Sequence, residues 1–228
     1  MMLDFLDRER WTIITVSATT CGALFLGLLF STGQKRIASE LTSLFHHVIV
    51  IILSLVTLSI HFDSIVADSA LSVTSRFILA NCIQWINIGY FLYDTVNAVV
   101  WEHNFIIHHC VALLGFGISD WSGRGGLGNA VNTLIAEVGS IFYNIYNKNK
   151  STKNYITFVS VYGASRLVLI GWYALVLHQL WWDDVDESLV FLQIFISLFQ
   201  TLLVVVNLHF LSIHLRKLRR ILASSKSK

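Results

Sequence analysis

The chain is 228 residues long, 55% hydrophobic and only 13% charged, with a net charge of +2 and a mean hydropathy of +0.66. Soluble domains carry about 25% charged residues, so this chain has too few polar groups to clothe a water-facing surface, and lipid must solvate most of it. The net charge itself says little, and no nucleic acid is expected as a partner.

Proline is absent, where usage near 5% would give about eleven. Any pocket must therefore come from helix splaying or small residues, not from a prolyl kink. Seven apolar segments lie at about 11–30, 44–60, 77–100, 105–118, 127–146, 155–181 and 189–211. Hydrocarbon admits only helices or closed barrels, and the alternation of barrel strands is missing. The predicted fold is therefore all-α, a polytopic membrane bundle of about seven transmembrane helices.

The first segment follows Asp4, Asp7, Arg8, Glu9 and Arg10, a mixed-sign stretch. It is longer than a signal-peptide core, and Ser17, Thr19 and Thr20 make no cleavage box, so it reads as a retained span. The fourth segment is short of the roughly 20 residues a bilayer needs, and six spans plus one short element is the other count. Lys35 and Arg36 follow the first span, Lys148, Lys150 and Lys153 the fifth, and Arg216, Lys217, Arg219, Arg220, Lys226 and Lys228 the last. The sixth loop is acidic, with Asp183, Asp184, Asp186 and Glu187. The positive-inside rule then places loops one, three and five and the C-terminus in the cytosol, and this parity favours a crossing by the fourth segment. Trp101, Trp121, Trp181 and Trp182 fall at span ends, as interfacial anchors.

The expected organisation is a first span within residues 1–34, a membrane domain at 35–216 and a basic cytosolic tail at 217–228. Gly123-Arg124-Gly125-Gly126-Leu127-Gly128 follows no strand and reads as a tight turn, not a nucleotide loop. No internal repeat suggests a duplicated transporter. Cys21, Cys82 and Cys110 read as three small buried hydrophobes.

Chemistry concentrates in two of the apolar runs. Asp94 ends the string Gly89-Tyr90-Phe91-Leu92-Tyr93-Asp94, and His108-His109 lies in the next span. An ionisable group at membrane depth costs at least about 2.5–3.5 kcal/mol on insertion scales, so it faces a bundle interior or cavity. Asn97 shares a helix face with Asp94. Adjacent helical residues point about 100° apart, so only one of His108 and His109 can enter a given cavity. His46-His47 and His209 are further histidines in apolar runs. A carboxylate beside an imidazole fixes its tautomer and raises its basicity, as general-base chemistry requires. Interhelical hydrogen-bond glue, averaging about 0.6 kcal/mol per bond, is the competing reading. No His pair has the metal-site spacing of H-E-x-x-H, and no Gly-x-Ser-x-Gly elbow is present. Neither a metal nor a serine hydrolase is expected.

The order of these pieces resembles the TLC family. Ser43-x-x-His46, Gly89 to Asp94, His108-His109, and Glu137-Val138-Gly139-Ser140-Ile141-Phe142-Tyr143-Asn144 occur in the family's order. The likeness covers about Lys35 to Arg216 and is greatest to the small TLC domain-containing proteins. It implies a multi-spanning protein of the endoplasmic reticulum, or alternatively the plasma membrane, concerned with lipid homeostasis and sphingolipid or phospholipid composition. Ceramide synthases of the family join a sphingoid amine to a fatty acyl-CoA, and their signature continues to a His-Asp pair. Here Gly128 to Ser140 offers Asn132 and Glu137 instead, and the family's proline is missing.

Two functions are thereby expected. One is a lipid-binding regulator whose polar cavity is lined by His46, Asp94, Asn97, His108, His109, Glu137 and Asn144. The other is a ceramide synthase-like acyltransferase with His108, His109 and Asp94 as catalytic residues, acyl-CoA as substrate and no cofactor. Membrane lipids are the expected partners. Asp94, Glu137 and one histidine of the pair should converge, while His103, beside Glu102, should lie in a solvated loop.

Overall fold

The computed structural model describes residues 2–68, 76–101, 106–182 and 189–225. Among the described residues seven helices follow one another: α1 (Met2–Thr32), α2 (Lys35–Asp68), α3 (Ile78–Trp101), α4 (Ile106–Ser122), α5 (Gly126–Lys148), α6 (Thr152–Trp181) and α7 (Val190–Ser225). Glu102, His103, the four acids of the α6–α7 loop, Lys226 and Lys228 lie outside the described residues. The seven helices match the seven apolar runs in order, but most are longer. Hydropathy reads only the hydrocarbon part of a helix, whereas Lys, Arg and Leu are good helix formers that carry it onward. Thus α7 continues through Arg216–Arg220 to Ser225.

The protein is an integral membrane helix bundle. Arg8–Thr32, Lys35–Ala67, Thr152–Trp181 and Val190–Ala223 are long and apolar enough to cross a bilayer. Large apolar side chains such as Phe30, Leu167 and Phe191 are exposed on the outer surfaces of these helices, as lipid-facing positions should be. α3 is more polar, and its Asn81, Gln84, Asn87 and Asn97 are buried. Trp121 and Trp182 are exposed at the ends of α4 and α6, where indole rings suit the interface. A backbone break interrupts α2 at His61 (φ −120°, ψ 26°), so this helix bends without proline.

The chain forms two compact units, Met1–Thr133 and Leu134–Lys228, with the boundary inside α5. In unit 1, α1 meets α3 at Gly89. A Cβ there would collide with the Ile14 carbonyl oxygen and lie 2.7 Å from Ser17 Cβ. Ser17 Oγ donates to the Ile86 carbonyl at 2.9 Å across the same crossing. Small residues that admit a neighbouring backbone are how apolar helices associate where lipid removes the hydrophobic drive. Cys21, Tyr90 and Phe91 form a buried cluster with Tyr93, Leu113 and Phe116 packed on it. Of the three cysteines only Cys21 is buried. Cys82 is half-buried and Cys110 exposed, because the apolar run containing Cys110 turns one face outward. Gly123 and Gly125 have φ of 63° and 77°, left-handed conformations that favour glycine, and they make the tight α4–α5 turn.

Unit 2 has a hydrophobic core of Tyr155, Phe158, Val159 and Tyr162, against which Tyr143, Tyr146 and Phe210 pack. Ser151 caps α6, its Oγ accepting from the Asn154 N–H at 3.1 Å. Gly139 lets α5 approach α6, since a Cβ there would lie 2.8 Å from Tyr162 Cδ2.

Candidate functional site

The α3 helix sets Tyr90 and Asp94 one turn apart on one face. Tyr90 Oη donates to Asp94 Oδ2 at 3.3 Å. The same carboxylate oxygen lies 3.2 Å from His109 Nε2 on α4. The pair is enclosed, with side-chain exposures of 19% for Asp94 and 10% for His109. From α2, the His46 ring stacks on Tyr90 with centroids 3.7 Å apart and planes 7° from parallel. His47 stands edge-on to the same tyrosine, and its Nε2 shares a 2.7 Å hydrogen bond with Ser43 Oγ. Three helices of unit 1 thus supply a continuous line, His46–Tyr90–Asp94–His109.

An apolar wall backs this line. The Phe91 ring lies 5.7 Å from His109, 6.3 Å from His108 and 5.9 Å from Phe116, centroid to centroid. In such low-dielectric surroundings each hydrogen bond is electrostatically stronger than in water. The Asp94 carboxylate holds the His109 ring through Nε2 and so selects one ring orientation and tautomer. Nδ1 of His109 is buried, so neither ring nitrogen opens onto solvent. The arrangement can hold a proton between two helices and can present an acidic and a basic group to one polar ligand.

The structure brings together Asp94, His109 and His46 among the expected residues. His108 is half-buried, its ring edge-on to Phe91 at 6.3 Å, and the angular offset of neighbouring helix positions gives it a different direction from His109. Asn97 lies one turn beyond Asp94, where its Nδ2 donates to Ser39 Oγ at 3.4 Å. Glu137 and Asn144 belong to unit 2, Glu137 being 7% exposed and Asn144 half-buried. They are seven residues apart and so share one face of α5.

Sequence reasoning did not single out Tyr90 or His47 as site residues. The signals were the i, i+4 spacings Tyr90–Asp94 and Ser43–His47, masked by the general abundance of aromatics. A second polar network was missed altogether. Asp120, near the end of α4, accepts from Trp85 Nε1 at 2.8 Å, Arg10 Nη1 at 3.4 Å and Gln84 Nε2 at 3.5 Å. Gln84 Oε1 in turn accepts from Ser119 Oγ and Asn129 Nδ2, each at 2.9 Å. This network fastens α1, α3, α4 and the start of α5 within unit 1. Arg166, buried in α6, was also passed over inside a long apolar run.

Residues 36–215 match a family model described as the TLC domain. No curated protein and no solved structure matches the chain.

Proposed function

Because this chain belongs to the TLC domain family, whose members are membrane proteins generally tied to lipid metabolism, we propose that it binds membrane lipid at the Tyr90–Asp94–His109 cluster and thereby regulates phospholipid or sphingolipid acyl composition. The observation that carries this reading is the 3.2 Å contact between Asp94 and His109 on neighbouring helices. Ionisable side chains that meet inside a membrane bundle mark substrate or proton sites more often than they mark packing. A lipid headgroup offers the donors and acceptors such a pair can bind, and Phe91 and Phe116 supply an apolar surface beside it.

An acyl-CoA-dependent transferase of ceramide synthase type is the second reading. It is supported by the same contact, since a carboxylate that orients a histidine is the usual partner of a general base. Against it stand the missing His-Asp element in Gly128 to Ser140 and the burial of His109 Nδ1, which leaves the ring no open nitrogen for a reacting hydroxyl or amine. Residence in the endoplasmic reticulum, with the basic Arg216–Arg220 segment on the cytosolic face, accompanies both readings.

The test is to purify the protein in detergent, identify co-purifying lipid by mass spectrometry, and assay the same sample over a panel of acyl-CoA donors and sphingoid amines. Enrichment of a lipid class that is lost in Asp94→Asn and His109→Ala, without turnover, supports the regulator. Turnover that His109→Ala lowers by about 10²–10⁴ makes the protein a transferase. Neither enrichment nor turnover would end both readings.

A further inference from the structure

The end of unit 2 that carries the α5–α6 connection is cationic and has no acid to answer it. Lys148, Lys150 and Lys153 are exposed there. The far part of α7 comes to the same end, because Tyr155 Oη donates to the His214 carbonyl at 3.2 Å and Lys217 Nζ donates to Tyr146 Oη at 3.3 Å. Arg216, Arg219 and Arg220 therefore share this end with the three lysines, and all three are exposed. No aspartate or glutamate occurs between Glu137 and Asp183, or after Glu187. Glu137 is 7% exposed and lies eleven residues before Lys148 on α5, about 16 Å of helix away. The acids from Asp183 to Glu187 follow the opposite end of α6.

The arginines are also sorted by face. His214, Leu218 and Ile221, at i, i+4 and i+7, turn α7 toward Phe158 and the core around it. Arg216, Arg219 and Arg220, at i, i+3 and i+4, share the face opposite. Leu215 and Leu222 flank that face and are 42% and 41% exposed. α7 has 36 residues, about 54 Å of helix, against about 30 Å of hydrocarbon. The helix therefore runs on through a headgroup layer, with guanidinium and leucine side chains next to each other on its last turns. Positive charge anywhere on the flanking chain can orient a span. A rigid face of three guanidinium forks does more, since each fork can take two oxygens of one phosphate or carboxylate. Lys217 has a different task. Its Nζ lies 4.9 Å from the centre of the Tyr155 ring and 5.4 Å from that of Tyr146, which staples α7 to the α5–α6 hairpin and holds the arginine face outward.

We propose that this end of unit 2 is a docking surface for anionic phospholipid. Arg216, Arg219 and Arg220 take the headgroup oxygens, and Leu215 and Leu222 rest on the upper part of the acyl chains. Charge complementarity calls for an anion, and the leucines beside the charges on a helix leaving the bilayer suit an interfacial lipid better than an acidic protein segment. The surface is separate from the Asp94–His109 pair and does not rest on the function proposed for it. It holds whichever side of the membrane this end faces.

The experiment uses the full chain in an uncharged maltoside detergent, with native mass spectrometry as readout. The probes are dioleoyl phosphatidylserine and dioleoyl phosphatidylcholine at equal concentration, which differ in net charge but not in acyl chain. Wild type should retain the serine lipid about fivefold better, the worth of one basic residue at an anionic surface. Raising ammonium acetate about tenfold, from roughly 0.05 M, should remove most of that preference, because exposed charges are screened. Replacing Arg216, Arg219 and Arg220 together with Gln, a good helix former, should bring it below about twofold. Detergent removes any effect of orientation during insertion, so this loss reports binding alone. Equal retention of the two lipids by wild type, or a preference that salt leaves unmoved, overturns the proposal whether or not the variant folds. A preference that persists in the folded triple variant overturns it too. Tetraglutamate at equal charge should leave the serine lipid bound; displacement would assign the face to an acidic peptide and overturn the lipid partner.

Discussion

Asp94 and Asp120 are carboxylates of the same unit, eleven residues apart in partners along α4 if His109 stands for the first, or about 16 Å of helix. Their surroundings differ in kind. Asp120 is met by an arginine, an indole N–H and a primary amide, all of them permanent donors. Asp94 is met by a histidine and a tyrosine hydroxyl, groups that can also accept or give up a proton. The Asp120 network reaches four helices and leads outward to Ser119 and Asn129. The Asp94 cluster is a line of rings beside an apolar wall. The contrast separates a carboxylate that fastens helices from one arranged to meet something else.

The largest expected effect strikes both regions together. Gly89→Leu would press a side chain onto the Ile14 carbonyl and Ser17 and so part α1 from α3. α1 brings Arg10 to Asp120 and Cys21 to the Tyr90–Phe91 cluster, so neither region survives the separation. Overpacking of this kind should cost about 3 kcal/mol or more, read as loss of the monodisperse folded species in detergent. Normal yield and an unchanged unfolding midpoint would refute the close α1–α3 crossing.

Next in size is the contrast itself. Asp120→Ala should cost about 2–3 kcal/mol, because it strips charge-assisted hydrogen bonds from Trp85 and Arg10 together. Trp85→Phe, which removes only the indole donor, should incur part of that cost, about 1.5 kcal/mol. Asp94→Asn keeps shape and one acceptor and should cost about 1 kcal/mol or less. The order is checked by thermal unfolding of the three variants in one detergent. An Asp94→Asn cost equal to that of Asp120→Ala would make both carboxylates fasteners and remove the basis for a site at Asp94.

A finer test distinguishes the two adjacent histidines. His109→Ala removes the partner of Asp94, whereas His108→Ala removes a half-buried ring that stands edge-on to Phe91. Expressed in cells, the first should shift membrane acyl composition as far as Asp94→Asn does, and the second should shift it less. Equal shifts, or a larger one from His108→Ala, would assign the role to the other histidine.

Much of this was readable beforehand, for definite reasons. Seven apolar runs stand out against sparse charge, and an Asp or His inside one has no lipid-facing explanation, so helices and candidate residues could be named. Which histidine meets Asp94 depends on the rotation of α4 about its axis, and adjacent residues carry no sign of it. Tyr90 was hidden because Tyr and Phe occupy ordinary framework positions throughout the chain. Asp120 sits close to a tryptophan and a glycine turn, which reads as interface rather than network. Arg166 was absorbed into an apolar run because its neighbours Leu167, Val168 and Leu169 dominate any window average. The boundary inside α5 falls between Thr133 and Leu134, where neither glycine, proline nor a change of charge marks it.

The smallest expected effect fixes which side of the membrane each region faces. The Asp94–His109 contact lies toward the α3–α4 connection and the Asp120 network beside the α4–α5 turn. The orientation expected from the positive-inside rule would turn the first toward the cytosol and the second toward the lumen. Asn149-Lys150-Ser151 forms an N-x-S sequon in the α5–α6 connection, which its lysines predict to be cytosolic. Its serine is already committed, since Ser151 Oγ accepts the Asn154 N–H as the cap of α6. Asn149→Gln should therefore leave gel mobility unchanged with or without glycosidase. A silent sequon has two explanations, the wrong compartment or an engaged serine, so the decisive half is a second sequon. An Asn-x-Ser on a polar spacer between Trp182 and Ser188 lies across the next span from Asn149 and should be modified. Glycan at Asn149 with none at the insert would reverse the orientation, exchanging the compartments that the Asp94 and Asp120 regions face while leaving the contrast between them intact.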